Sequence, residues 1–281
     1  MTDYLRPADL GHALAARAEH PDWWLLAGGT DLMVGQRAAP RGVIDLFGLP
    51  ELRGVRREGD RVWIGAATTY AELIRSDLVR ELLPCLHACA REVGALQIQE
   101  RGTIGGNVAT SSPVGDTLPV LLALDAEVEL ASASARRTLA YHGFCTGYRQ
   151  TALTADELIV GLSIPTPAPG TRQFWRKVGT RRAQAISKVM VAAAARLGPG
   201  REVVHARLAM GAVAALPLRL EGVEELLRGE VPGPELARRA RAAVEEAITP
   251  ITDVRSTAPY RSAAAGNLAA RFVLELAEDA A

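Results

Sequence analysis

Thr103-Ile104-Gly105-Gly106-Asn107-Val108-Ala109-Thr110-Ser111-Ser112-Pro113-Val114-Gly115-Asp116 is the stretch that decides how this chain folds. Its paired glycines lack Cβ atoms, so backbone N–H groups are able to converge on one point and a bulky anion is able to approach them closely. Residues 102–107 break helical and strand periodicity alike, which predicts a loop. The hydroxyls that follow suit phosphate and polyol oxygens. Asp116 suits the hydroxyl donors of a polyol, or else caps the helix predicted over residues 119–126. A second such stretch, Leu26-Ala27-Gly28-Gly29-Thr30-Asp31-Leu32, follows an apolar run at residues 23–27 that reads as a strand. Neither fits GxGxxG or GxxxxGK[ST], so neither a dinucleotide fingerprint of the parallel-sheet type nor a P-loop is supported.

Composition narrows the function classes. The 281 residues carry 32 basic and 32 acidic side chains, and all the basic ones but Lys177 and Lys188 are arginine. Such a ratio, with the alanine run at 192–195, points to a G+C-rich coding sequence. Zero formal charge argues against a nucleic-acid or anionic-membrane binder that works by bulk electrostatics. Cys85, Cys89 and Cys145 include no CxxC pair, so this chain alone does not hold an ordinary iron–sulfur centre, and the thiols read as buried and free. The five histidines are scattered without HxH or HExxH spacing, so no metal is expected. No apolar run of membrane-spanning length and no signal-peptide pattern is seen, and a cytoplasmic protein without membrane insertion is expected.

Along the chain, helices are predicted over residues 7–20, 79–93 (irregular at Pro84) and 119–126, and from near Glu221, Pro234 and Pro259. Asp31 to Gln36 reads as a helical turn. Strands are predicted over 42–46, 127–131, 174–178 and 203–213, with a hairpin of 52–57 and 61–66 around Glu58-Gly59-Asp60. Thr68 or Thr69 caps a helix reaching Ile74, with Glu72 placed for a capping box. Pro165-Thr166-Pro167-Ala168-Pro169-Gly170 marks a domain boundary. This order of short mixed elements fits α+β better than a doubly wound sheet.

The run 103–116, continuing through Leu118-Pro119-Val120-Leu121-Leu122-Ala123-Leu124-Asp125-Ala126-Glu127-Val128, resembles the FAD-binding subunit, or domain, of the molybdenum hydroxylases, the family of xanthine dehydrogenase and aerobic carbon monoxide dehydrogenase. Ala27 to Leu32 resembles its first flavin loop. Phe144-Cys145-Thr146-Gly147-Tyr148-Arg149-Gln150-Thr151-Ala152-Leu153, the segment 174–189, and the landmarks at 211–219 and 251–261 follow in the family's order. The likeness covers nearly the whole chain.

The resemblance implies an α+β protein with a vanillyl-alcohol-oxidase-type FAD domain at 1–168, of subdomains 1–57 and 58–168, and a smaller C-terminal α+β domain at 169–281. It implies non-covalent FAD extended between the subdomains. Leu25, Leu26, Ala27, Gly28, Gly29, Thr30, Asp31 and Leu32, with Thr103, Ile104, Gly105, Gly106 and Asn107, supply the loops around the pyrophosphate. Thr110 and Asp116 fall near the ribityl and adenosine portions, Ile159 at an apolar contact, and Lys177 near the flavin. At Lys177 a cation at the ring's pyrimidine edge, or a solvated strand end, are both readings of the residue. It also implies a [2Fe-2S] cluster on a separate small subunit and a molybdenum cofactor on a separate large one, in a dimer of heterotrimers. The chain would take electrons from the cluster and pass them to NAD+, dioxygen or another acceptor.

Two departures stand out. Val93 occupies a position where some relatives carry an aromatic residue. The segment 179–185, with Arg181 and Arg182, has no carboxylate where nicotinamide-reducing relatives often do. Tyr148-Arg149 lines the cleft or packs as a turn. A stand-alone flavin reductase or oxidase of the same fold, and a non-redox nucleotide-binding module, remain as other readings.

Overall fold

The computed structural model describes residues 2–278 apart from 33, 35–37 and 182, so part of the helical turn expected at 31–36, and Arg182, lie outside the described residues. Strand β1 (Asp3–Leu5) is followed by helix α1 (Leu10–Glu19), which starts later than Pro7 because the Asp9 side chain accepts the N–H of His12 and fixes the N-cap there. Strands β2 (Trp24–Leu26) and β3 (Gly42–Asp45) complete a small parallel sheet in the order β1-β3-β2. The glycine stretch 27–32 leaves the end of β2.

The hairpin of β4 (Val55–Glu58) and β5 (Arg61–Gly65) belongs to a second sheet, so the change of sheet precedes residue 57. Thr69, not Thr68, caps α2 (Tyr70–Arg75), with Glu72 closing the capping box. The single helix expected over 79–93 is two, α3 (Asp77–Leu82) and α4 (Pro84–Ala90), because Pro84 has no N–H to continue the first and serves as the opening residue of the second. Short α5 (Leu96–Gln99) leads to α6 (Ile104–Thr110), so the predicted loop at 102–107 is instead a cap and the first turn of a helix. Helix α7 (Leu118–Ala123) is buried on every side.

Strands β6 (Glu127–Ala131) and β7 (Arg136–Ala140), the small hairpin of β8 (Cys145–Gly147) and β9 (Gln150–Thr151), and β10 (Leu158–Pro165) follow. The second sheet runs β4-β5-β10-β6-β7, with β10 at its centre. Beyond the prolines, β11 (Arg172–Val178), β12 (Val189–Leu197), β13 (Val203–Gly211) and β14 (Leu218–Arg219) form a third, antiparallel sheet. Helices α8 (Glu221–Leu227), α9 (Pro234–Ala247) and α10 (Ala258–Glu278) cover one of its faces. The other face, with Trp175, Ala192, Ala194 and Ala209, packs into the core shared by the second sheet and α2, α4 and α7. The α+β architecture is therefore as expected. Among the described residues no helix is long and apolar enough to cross a membrane.

Candidate functional site

The two glycine stretches meet. A Cβ on Gly28 would lie 1.9 Å from the carbonyl oxygen of Arg101 and 3.0 Å from Gly102 Cα, so only glycine lets the first loop rest on the chain entering α6. Gly29 has φ +75°, the left-handed region that favours glycine. Between these loops, the start of α2, and β10 lies a cleft of about 740 Å³.

The glycine pairs do different work. In the second, Ile104 N donates to Thr68 O, Gly105 N to Ala66 O, Gly106 N to Thr103 Oγ1 and Asn107 N to Thr103 O. Those donors are occupied, so the convergent anion nest expected at 105–106 is not there. Gly105 is required by packing instead, since a Cβ would come within 2.6 Å of Ala66. In the first, the N–H groups of Gly28, Gly29 and Thr30 meet no acceptor among the described residues. Of the two glycine stretches, the first is the one whose N–H groups are left without acceptors among the described residues.

Of the expected residues, Leu25, 27–32 (Ala27, Gly28, Gly29, Thr30, Asp31 and Leu32), Thr103, Gly105, Gly106, Asn107, Thr110 and Ile159 line this cleft. Leu26 is turned away by the strand's two-residue alternation, and Ile104 is fully buried in the core. Asp116 and Lys177 lie beside the cleft and hold each other. Lys177 Nζ is 2.6 Å from Asp116 Oδ2 and also donates to Glu92 O at 3.2 Å, and Ser187 Oγ donates to Asp116 Oδ1 at 2.6 Å. Their side chains are 4% and 10% exposed, so Lys177 is a partnered buried ammonium, not a solvated strand end. Burial pushes the Asp116 carboxyl up; Lys177 and Ser187 act against this. Asp116 does not cap α7, whose N-cap residue is Thr117.

This network joins segments whose neighbouring residues Val93, Gly115 and Ile186 line the cleft. Lys177 and Arg181 also line a smaller adjoining cavity of about 380 Å³. Arg149 reaches into the main cleft from a β8–β9 turn with φ +53° and sits 3.4 Å from Asp31. Tyr70, Ile98 and Arg255 line it too and escaped the sequence reading, although Arg255 falls inside the quoted landmark 251–261. Arg255 is set by Asp253, which accepts from the N–H of Arg255 and Ser256 and from Arg261 Nη2. Burial raises the Asp253 carboxyl, but those donors outweigh it and bring it from 3.8 to about 2.

A cleft near the upper end of small-molecule sites, with three unused N–H groups at a glycine turn, two guanidinium groups and apolar walls, suits a large ligand with an anionic linkage. Comparisons with known proteins show the family to which a chain with such a cleft belongs. The model described as the FAD binding domain in molybdopterin dehydrogenase matches residues 1–167, and that of the CO dehydrogenase flavoprotein C-terminal domain matches 175–276. The carbon monoxide dehydrogenase medium chain of Hydrogenophaga pseudoflava is 34% identical over 277 residues, covering 96% of this chain and 94% of that one. The xanthine dehydrogenase FAD-binding subunit of Escherichia coli O157:H7 is 31% identical, covering 92% and 90%. Among solved structures, carbon monoxide dehydrogenase from Hydrogenophaga pseudoflava superposes with TM-score 0.93 at 33% identity, covering 99% of this chain and 97% of that one. Fold, cleft and these likenesses together place the chain in the family of FAD-binding subunits of the molybdenum hydroxylases.

Proposed function

We propose that this chain is the electron-transfer flavoprotein of a multi-subunit molybdenum hydroxylase. It accepts electrons from a [2Fe-2S] cluster on a small partner subunit and delivers them to an external acceptor. Substrate is oxidised at a molybdenum cofactor on a large partner subunit. Bound FAD supplies the ability to collect electrons one at a time and release them as a pair. The chain's own residues hold and shape: the N–H groups of Gly28, Gly29 and Thr30 meet the pyrophosphate, Asn107 and Thr110 offer polar side chains, and Val93, Ile159 and Ile186 exclude water. The Lys177–Asp116 pair fixes charge close to the cleft in a site where nearby dipoles and ions act strongly.

The free N–H triplet at residues 28–30 carries the cofactor assignment. Separate partners for substrate chemistry are supported by the relatives' names. The carbon monoxide dehydrogenase medium chain, a nicotine 6-hydroxylase medium subunit at 31% identity and a caffeine dehydrogenase subunit at 29% share nearly this whole chain, yet their substrates are chemically unlike. Such a spread is expected if the shared chain does not choose the substrate. We also infer a division into functional units at the proline stretch 165–170, and a cytoplasmic complex organised as a dimer of heterotrimers.

Isolation of the tagged full-length chain from its own source tests this. The expected result is a complex with one flavin per copy of this chain, a cysteine-rich iron–sulfur chain and a larger molybdenum-containing chain. A flavin-loaded chain that purifies without partners and oxidises a small substrate by itself would establish the stand-alone reading. A chain that takes up nucleotides but no flavin would establish the binding-module reading.

A further inference from the structure

Thr117 is wholly buried and occupies the N-cap position of α7, yet its hydroxyl makes no cap bond. Threonine at an N-cap ordinarily accepts an N–H two or three residues ahead, which satisfies a donor that the helix cannot. Here the hydroxyl turns to α6 instead, and Thr117 Oγ1 donates to Asn107 Oδ1 at 2.5 Å. Asn107 is half-buried and lines the cleft.

A side-chain amide has one acceptor end and one donor end. With Oδ1 engaged by Thr117, the Nδ2 end remains, and no acceptor for it is found among the described residues. The need for such a donor follows from the backbone of α6. Its first N–H groups are spent on Thr68, Ala66 and Thr103, so this wall of the cleft has no main-chain donor to offer at 104–107. Tyr70, another cleft residue, has a buried hydroxyl with no hydrogen-bond partner among the described residues, so it does not compete with Asn107 for the Thr117 hydroxyl.

We propose that Thr117 is a positioning residue for the cofactor: by holding Asn107 Oδ1 from inside the protein, it presents the Asn107 Nδ2 donor to bound FAD. It touches no ligand itself. The inference rests on FAD being the ligand of this cleft, and it goes beyond that reading by assigning the orientation of one donor to a buried residue outside the cleft.

The full-length apo chain is titrated with FAD, and the dissociation constant is measured for the unaltered protein, Thr117→Val, Thr117→Ser, Asn107→Ala and the double variant Asn107→Ala/Thr117→Val. Valine keeps the shape and removes the hydroxyl; serine restores it. Thr117→Val is expected to weaken FAD binding about tenfold, the equivalent of one hydrogen bond, while Thr117→Ser stays within about threefold of the unaltered chain. In the Asn107→Ala background the valine substitution is expected to add nothing, because its effect passes through the amide it holds. A merely structural role would weaken binding equally in both backgrounds, and that additivity overturns the proposal. Equal affinity of Thr117→Val and the unaltered chain overturns it as well. If the unaltered chain shows no saturable FAD binding, the cofactor reading falls and the proposal falls with it.

Discussion

Replacing Lys177 by methionine tests how the buried charge beside the cleft is held. The pair is nearly sealed, with side chains 4% and 10% exposed, and the Asp116 carboxylate accepts hydrogen bonds from Lys177 and Ser187. Methionine fills much of the same volume but leaves Asp116 with one neutral donor. Breaking a buried pair from one side costs about 3–5 kcal/mol, because an uncompensated charge stays behind. The pH dependence gives the cause away. Burial already raises Asp116, and without Lys177 that push is less opposed, so its folded pKa climbs further above the unfolded 3.8. An acid with a raised folded pKa loses stability as pH rises through that value and regains it as pH falls. Urea unfolding of Lys177→Met, followed from about pH 8 to about pH 5, should therefore show a loss that shrinks with acidification. The double variant Lys177→Met/Asp116→Leu should recover most of the loss at every pH. A loss below about 1 kcal/mol, the range of an exposed pair, or one that does not change with pH, would refute the reasoning.

Further outcomes are expected. Gly28→Ala forces a Cβ onto the Arg101 carbonyl and should cost about 1–3 kcal/mol of stability in thermal unfolding, with FAD affinity falling as the two loops part. Glu157, bonded to Arg137 at 2.6 and 2.8 Å, has its carboxyl drawn from 4.5 to about 2, first by Arg137 and then by Thr154. Its contribution, at most about 3 kcal/mol, is present above pH 4.5 and lost as pH falls through about 2, so Glu157→Gln should flatten the acid limb of the stability curve. Arg261→Met removes bonds to Lys188 O, Ala212 O and Asp253; about 2–3 kcal/mol should be lost, and FAD should dissociate faster as Arg255 loses its anchor.

Much of this architecture was legible because local chemistry announces it. The strand at 127–131, the Glu72 capping box and the helix starting at Pro234 depend on alternation, caps and proline, which act within a few residues. Strand β10 was not legible. It is buried on both faces, so Leu158-Ile159-Val160 shows a continuous apolar run with no period to read. The alanines 192–195, ascribed to codon usage, lie in a central strand whose residues alternate between two cores, and their small size lets α7 pack close. Both glycine pairs singled out in the sequence line one cleft, but sequence could not tell a pair that frees N–H groups from one that hides them. That difference depends on what stands opposite: the carbonyls of Ala66 and Thr68 for the second loop, and no acceptor among the described residues for the first. Likewise the partnership of Asp116 with Lys177, 61 residues apart, arises from the docking of the third sheet and has no local signature.

The central claim is that this chain passes on electrons received from a partner. Anaerobic mixing of the FAD-loaded full-length chain with its reduced iron–sulfur subunit, followed by visible absorption of the flavin, tests it most directly. Rapid bleaching of the flavin band that requires the iron–sulfur subunit, reversed on adding an acceptor, is the result this structure predicts. A flavin that stays oxidised beside the reduced cluster, yet bleaches when a small organic substrate is added to the chain alone, would contradict it.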